Sequence, residues 1–375
     1  MTPRDLGTAR GVVVKVGSSL IQAGDTVIAA IARDIMTLRE AGTRVTLVSS
    51  GAVALGRDRL GLATGTLSLE QKQAAAATGQ PRLLDLWERA FAVHGVATAQ
   101  ALLTLDVTES RRSWLNARAT LSTLLDLGAL PVVNENDTIA TDEIRYGDND
   151  RLAARVAQLT GADLLVLLSD VDALYNAEPR SDASARALRD IPAINEDIRA
   201  MAGDANSARG VGTGGMRTKI LAAELAGASG CATAIGLGTA DKPILSFSRP
   251  DHGSWFHPAR SSASARERWI SGVLSPNGAL HIDAGAVRAL LDGKSLLPVG
   301  VTAVEGQFDR GETVRILGPD AQLVARGVTA YGAEEARKLA GCQSDETEDR
   351  LGYRRAAALV HTDDIVRVSS PEAGQ

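Results

Sequence analysis

Gly11-Val12-Val13-Val14-Lys15-Val16-Gly17-Ser18-Ser19 is a β-branched run interrupted by one lysine and closed by a glycine and two serines. Such a run reads as a buried parallel strand that ends in a loop of small residues. A lysine inside it is costly unless its ammonium finds a partner. Lys15 should therefore stretch along the strand to its exit and meet negative charge there.

The pattern repeats downstream. Val27, Ile31, Ile35 and Leu38 recur at helical spacing up to Gly42, and Arg44 to Val48 is a second strand that runs into Ser49-Ser50-Gly51. Ser68 with Gln71 three residues on predicts a capping box and a helix to about Ala77, and Gln80-Pro81 predicts the start of another toward Val93. A strand over Val96 to Leu103, a helix over 110–127 stopped by Gly128, and a strand over Ala129 to Val133 follow. A helix with Leu152, Val156 and Leu159 on one side is closed by Gly161, and the apolar strand Asp163 to Leu168 exits at Ser169-Asp170. This alternation predicts an α/β fold, a mainly parallel sheet sandwiched by helices. Ligands bind at the carboxyl ends of the strands in such sheets, and every small or polar exit falls on that edge.

After a strand at Cys231 to Leu237, the serine-rich segment His257 to Ala265 gives way to short strands with glycine turns, the texture of a small β-barrel. The expected domains are residues 1–260, a linker at 261–274, and a C-terminal β domain with its tail at 275–375. A chain of 375 residues is long enough for two cores. Its net charge of −5 gives no footprint for nucleic acid or an anionic membrane. Neither a leader-like h-region in Met1 to Arg10 nor a span-length apolar run is present, which predicts a cytoplasmic protein with no membrane partner. Cys231 and Cys342 form no CxxC pair and the five histidines show no HxxxH spacing, so a metal would be a hard, oxygen-bound one.

Two further stretches carry chemistry. Between Asn134 and Asp150 lie six acids (Glu135, Asp137, Asp142, Glu143, Asp148, Asp150) against Arg145 alone. Carboxylates crowded like this need a cation among them or stand as a solvated surface loop. The second stretch, Gly210 to Gly215, formally satisfies GxGxxG but does not follow the first strand, so it is no Rossmann fingerprint, and no GxxxxGK[ST] occurs. Glycines at a helix start still expose N–H groups to an anion. Lys219 in the first turn favours phosphate binding over a flexible turn. Two lysines, glycine loops and acids at one sheet edge are the parts phosphoryl transfer requires.

These residues carry a family resemblance. Val14-Lys15-Val16-Gly17-Ser18-Ser19, Ser49-Ser50-Gly51-Ala52, Asn134-Glu135-Asn136-Asp137, Gly147-Asp148-Asn149-Asp150, Ser169-Asp170-Val171-Asp172, and Gly212 to Lys219 occur in an order that resembles the glutamate-phosphorylating members of the amino acid kinase superfamily. Asp283 to Gly300 is similar to a PUA domain. The resemblance implies ATP-dependent phosphorylation of the L-glutamate γ-carboxylate, the first step toward proline, with ATP and Mg²⁺ as cofactors, L-proline as feedback inhibitor and a homo-oligomeric assembly. It implies that Lys15 and Lys219 stabilise the transferring phosphoryl and that Asp150 orients them. Ser50, Asn134, Asp137, Asp148 and Asn149 would hold glutamate. ATP would be held by Lys15, Ser169, Asp170, Thr213, Gly214, Gly215, Met216, Arg217, Thr218 and Lys219, while Mg²⁺ sits on phosphates and water with no protein ligand assigned.

Charge refines the roles. Asp137 or Asp148 should take the glutamate ammonium, with Asn134 and Asn149 donating to its α-carboxylate. Thr138 to Tyr146 should be the piece that closes over the substrate. The alternatives are a relative acting on acetylglutamate, aspartate or a nucleotide, an RNA-binding PUA protein, and a silent amino-acid sensor. Residues 275–360 carry ten Lys+Arg against twelve Asp+Glu, a poor footprint for RNA.

Overall fold

The computed structural model describes residues 6–62, 65–104, 111–139, 149–177, 182, 184–201, 215–258, 276, 278–343, 346–353 and 357–367, without the side chains of residues 111, 112 and 363. The predicted site residues Asp148, Thr213 and Gly214, most of the segment 138–146, and the expected linker 261–274 lie outside these. The chain divides into two compact units, residues 1–262 and 263–375.

In the first unit, β1 (Gly11–Val16), β2 (Arg44–Ser49), β3 (Thr98–Leu103), β4 (Leu130–Glu135), β5 (Leu164–Ser169), β8 (Asp190–Ile191), β9 (Ala232–Leu237) and β10 (Ser254–Phe256) form one sheet in the order β3-β4-β2-β1-β5-β9-β10-β8. The strands from β3 to β9 are mutually parallel, and only the β9–β10 pairing is antiparallel. β6 (Leu174–Tyr175) and β7 (Ala187–Leu188) form a separate short hairpin.

Period-2 alternation assigns each strand residue to a layer. Val12, Val14 and Val16 pack with α2 (Asp25–Glu40) and α4 (Leu69–Ala92), through Ile31, Ile35, Leu83, Trp87 and Phe91. Val13 packs on the other face with α5 (Arg111–Asp126), α6 (Asn149–Thr160) and α8 (Met216–Ala228), through Leu121, Leu152 and Ile220. Lys15 shares the face of Val13 and so points toward α6 and α8. The short helices α1 (Ser18–Gln22), α3 (Ala52–Arg59) and α7 (Glu196–Ala200) complete the unit.

One expectation is corrected. The two helices predicted on either side of Gln80-Pro81 are a single 24-residue helix, α4, with Pro81 inside it. Pro81 removes one backbone hydrogen bond, but the buried stripe Ala75, Ala76, Gly79, Leu83, Trp87 and Phe91 runs past it unbroken, and this burial outweighs the loss. The capping box holds as read: Ser68 accepts from the Gln71 N–H while the Gln71 side chain accepts from the Ser68 N–H.

The second unit contains a five-stranded mixed sheet, β12-β11-β13-β14-β15, made of Val301–Gly306, Gly278–Ile282, Thr313–Leu317, Leu323–Val328 and Ile365–Arg367. Leu280, Ile316, Tyr331 and Leu359 are fully buried in its core with α9 (Ala284–Leu291) and α10 (Ala333–Leu339) alongside, and α11 (Thr347–Leu351) follows. No described helix is long and apolar enough to cross a membrane.

Candidate active site

Four parallel strands, β4, β2, β1 and β5, end side by side at Asn134-Glu135, Ser49-Ser50, Val16-Gly17 and Ser169-Asp170. The chain crosses this edge at Ser50, whose N–H still donates to the carbonyl of Val16, and then turns at Gly51, where φ is 117°. That backbone is the left-handed kind glycine adopts freely, and a Cβ there would also press on Ile21 at 3.2 Å.

On the α6/α8 face of the edge, three buried ions meet. Lys15 Nζ lies 2.6 Å from Asp150 Oδ1, and Lys219 Nζ lies 3.3 Å from Asp150 Oδ2. All three residues are at most 6% exposed. Burial opposes ionisation of Asp150, yet the ammonium groups of Lys15 and Lys219 outweigh it and hold the carboxyl well below the usual carboxylate range. Burial likewise pulls the Lys219 ammonium below its ordinary value, against the attraction of Asp150. With all three ionised the cluster carries one net positive charge away from water. An incoming phosphoryl anion would offset it.

α8 begins beside this cluster. Its N-cap, Gly215, supplies no side-chain hydrogen bond to the first turn; the Thr218 N–H turns back to the Gly215 carbonyl at 3.2 Å, and the N–H groups of Met216 and Arg217 have no acceptor within the helix. The Thr218 hydroxyl has two acceptors for its single proton, Asp150 Oδ2 at 2.7 Å and the Gly215 carbonyl at 2.8 Å. Of the remaining predicted nucleotide-binding residues, Met216 is half-buried and packs on the α6/α8 layer, and Arg217 is exposed. Ser169 is buried and donates to the exposed Asp170 at 3.0 Å.

A chain of amides and hydroxyls crosses the strand ends toward the other layer. Asn149 Nδ2 donates to Ser50 Oγ at 2.7 Å and to Asn134 Oδ1 at 2.9 Å, and Asn134 Nδ2 donates to Gln80 Oε1 at 2.8 Å. Both amide hydrogens of Asn149 are thus engaged. Its Oδ1 is buried with no hydrogen-bond partner among the described residues. In this arrangement the atom of Asn149 left over is an acceptor. Asn134 keeps one N–H, and the Ser50 hydroxyl keeps its proton. Asp137 is half-buried just past β4, and burial pushes its carboxyl up to about 6.

The sequence reading did not single out Gln80 or Trp87, whose indole N–H donates to Ser49 Oγ at 2.9 Å. Treating Gln80 as a helix start hid it. Its three- and seven-residue spacing to Leu83 and Trp87 is the signal that places it on the sheet-facing stripe.

The fold and the edge chemistry define a class. Residues 10–236 match the family model described as amino acid kinase family, and residues 278–351 match the PUA domain. The chain belongs to the amino acid kinase family. Its relatives over nearly the whole length are glutamate 5-kinases. That of Caulobacter vibrioides (strain NA1000 / CB15N) is 52% identical over 363 residues, covering 95% of this chain and 96% of the relative. That of Rhizobium etli (strain CIAT 652) is 51% identical, covering 98% and 95%. That of Paracoccus denitrificans (strain Pd 1222) is 52% identical, covering 98% and 99%. Among solved structures, a carbamate kinase from Giardia lamblia bound to AMP-PNP aligns at a TM-score of 0.46 and 17% identity, covering 67% of this chain and 99% of that one.

Proposed function

We propose that this protein transfers the γ-phosphoryl of MgATP to the γ-carboxylate of L-glutamate, giving L-glutamyl 5-phosphate and ADP. The observation that carries this reading is the pairing of two buried lysines on Asp150, beside the Ser50–Asn149–Asn134 chain, in a relative of the glutamate 5-kinases. A carboxylate oxygen of the substrate attacks the γ-phosphorus, the new P–O bond forms, and the bond to the β-phosphate oxygen breaks with ADP as leaving group. The attacking carboxylate is already ionised at neutral pH, so no general base is required. Lys15 and Lys219 offset charge on the transferring oxygens, and Asp150 fixes both ammonium groups before the reaction starts. The first turn of α8 and the β5 exit at Ser169-Asp170 face the nucleotide phosphates.

The described carboxylates at this edge fit Mg²⁺ poorly as a protein cage. Asp150 is engaged by two lysines, and Asp170 accepts from Ser169. Mg²⁺ enters on the ATP phosphates with water completing its shell. Kinship with the glutamate 5-kinases supports the rest of the reading, a cytoplasmic homo-oligomer in proline biosynthesis that L-proline restrains at the amino-acid site. The test is ADP release with L-glutamate and MgATP, the acyl phosphate trapped as its hydroxamate. Turnover with acetylglutamate or aspartate in place of glutamate would overturn it.

Asp137 is assigned to the substrate ammonium. Its ordinary pKa of 3.8 rises to about 6 through burial, so the folded protein holds a proton that the unfolded chain has lost. Without substrate, stability therefore falls as pH rises from about 4 to about 6. An ammonium beside the carboxylate relieves this, so glutamate KM should fall as pH climbs through about 6 and level off above it. Asp137→Ala should raise glutamate KM by about tenfold or more, with a smaller effect on kcat, and abolish the pH step. An unchanged KM would sink the assignment.

A further inference from the structure

A chain of amide groups can run in either of two directions. In one, Gln80 accepts from Asn134, Asn134 accepts from Asn149, and the carbonyl of Asn149 is left over. In the reverse direction every amide is turned, and Asn149 presents N–H in place of its carbonyl. The first is bound by a cationic donor and the second by an anion. The observed direction is the first, with Oδ1 of Asn149 as the buried acceptor without a partner among the described residues. A buried carbonyl in that condition is unfavourable until a donor reaches it.

The end of the chain that could fix this direction is Gln80. It lies on α4, 9% exposed, in the helix stripe that packs on the sheet. Two contacts lock α4 in place against the strand exits. Trp87, seven residues and two turns from Gln80 on the same stripe, is fully buried and donates to Ser49. Gly79, the immediate neighbour of Gln80, packs so closely on α3 that a Cβ there would sit 1.8 Å from the Ala52 carbonyl oxygen. Gln80 is thus held at a fixed height over the end of β4, where its side-chain carbonyl meets the Asn134 amide at 2.8 Å.

Resting on the glutamate reading above, we propose that Gln80 is a positioning residue that sets the direction of the Gln80–Asn134–Asn149–Ser50 chain, so that Asn149 offers a carbonyl to the substrate's α-ammonium and the site selects an amino acid over the corresponding simple diacid. Gln80 does not touch the reacting atoms. It acts through Asn134. The same direction leaves the Ser50 hydroxyl proton free to donate to a substrate carboxylate, because Ser50 Oγ is already accepting from Asn149.

The experiment compares Gln80→Met and Gln80→Glu with the unmodified full-length protein, using L-glutamate and glutarate as acceptors. Glutarate keeps both carboxylates and lacks the ammonium. Methionine fills the space without an acceptor. Glutamate KM should then rise by about tenfold, ATP KM should hold, and the preference for glutamate over glutarate should shrink by a similar factor. Glutamate at position 80 can only accept when ionised, which locks the observed direction, so Gln80→Glu should restore glutamate KM and the preference. Gln80→Met with unaltered glutamate KM and preference overturns the inference, as does a parallel loss of both KM values, kcat and melting temperature that Gln80→Glu fails to rescue. Absence of glutamate turnover by the unmodified protein overturns the substrate reading and this inference with it, whereas normal turnover with an indifferent Gln80→Met overturns the inference alone.

Discussion

Asp150→Asn should lower kcat by about 10²- to 10³-fold, the range lost when one preorganised charge-stabilising group is removed from an active site. The substitution keeps the volume and leaves a side-chain oxygen for the Thr218 hydroxyl, so the change is almost purely one of charge. In the native site Asp150 attracts Lys15 at 2.6 Å and Lys219 at 3.3 Å. At an effective dielectric near 20 the two attractions are worth roughly 6 and 5 kcal/mol before desolvation, which offsets much of each. With asparagine in place, two buried ammonium groups face each other unneutralised.

One of them then gives up its proton, and Lys219 is the candidate, because burial already lowers its pKa against the pull of Asp150. The site keeps one cation where the proposed transfer uses two. The kcat of Asp150→Asn should therefore recover in part as pH falls, across a range where the unmodified enzyme is flat. The folded state should lose about 3–5 kcal/mol at a pH where both lysines are charged. Pre-steady-state kinetics and thermal melts at several pH values measure both effects. A kcat within about tenfold of the unmodified enzyme would remove Asp150 from the role assigned to it.

Gly79→Ala should destabilise the N-terminal unit by about 3 kcal/mol, although alanine is the better helix former by about 1 kcal/mol. A Cβ on Gly79 would lie 1.8 Å from the Ala52 carbonyl oxygen and 2.6 Å from the Gly56 nitrogen, and a Cβ on Gly56 would lie 1.8 Å from the Ala75 carbonyl oxygen. These neighbours are backbone atoms, with no flexible side chain to swing aside. α3 and α4 would have to separate. The corresponding fall in melting temperature is about 6–12 °C, read on the transition of the N-terminal unit because two units need not melt together. Glutamate KM should rise as well, since α3 starts two residues after Ser50 and Gln80 adjoins Gly79. A melting temperature within about 2 °C of the unmodified protein would mean the two helices are free to shift at little cost.

Several features of the fold are legible from local pattern. The β-branched strands, their small-residue exits and the capping box at Ser68 each follow from spacing within a few residues, because side-chain periodicity and capping are local physics. The anomaly of Lys15 also points correctly to an acidic partner at the strand exit. The acidic stretch is harder to read. Asn149 and Asp150 look like the end of a charged loop, yet they are the first turn of α6 and are buried. Charge counting alone cannot tell a solvated carboxylate from one that two lysines neutralise.

The order of strands and helices places the exit of Lys15 on the ligand edge, and packing decides that its face is the one covered by α6 and α8. The sequence by itself thus determined which edge would carry charge chemistry and which residue types would be there. The tertiary structure decided that Asp150 would stand between two lysines, one of them 69 residues further along the chain, that α4 would continue unbroken past Pro81, and that Gln80 would meet Asn134. Those outcomes depend on packing between distant segments. The close glycine crossing of α3 and α4, and the burial that makes an unpaired charge or carbonyl costly, exist only once the layers have come together.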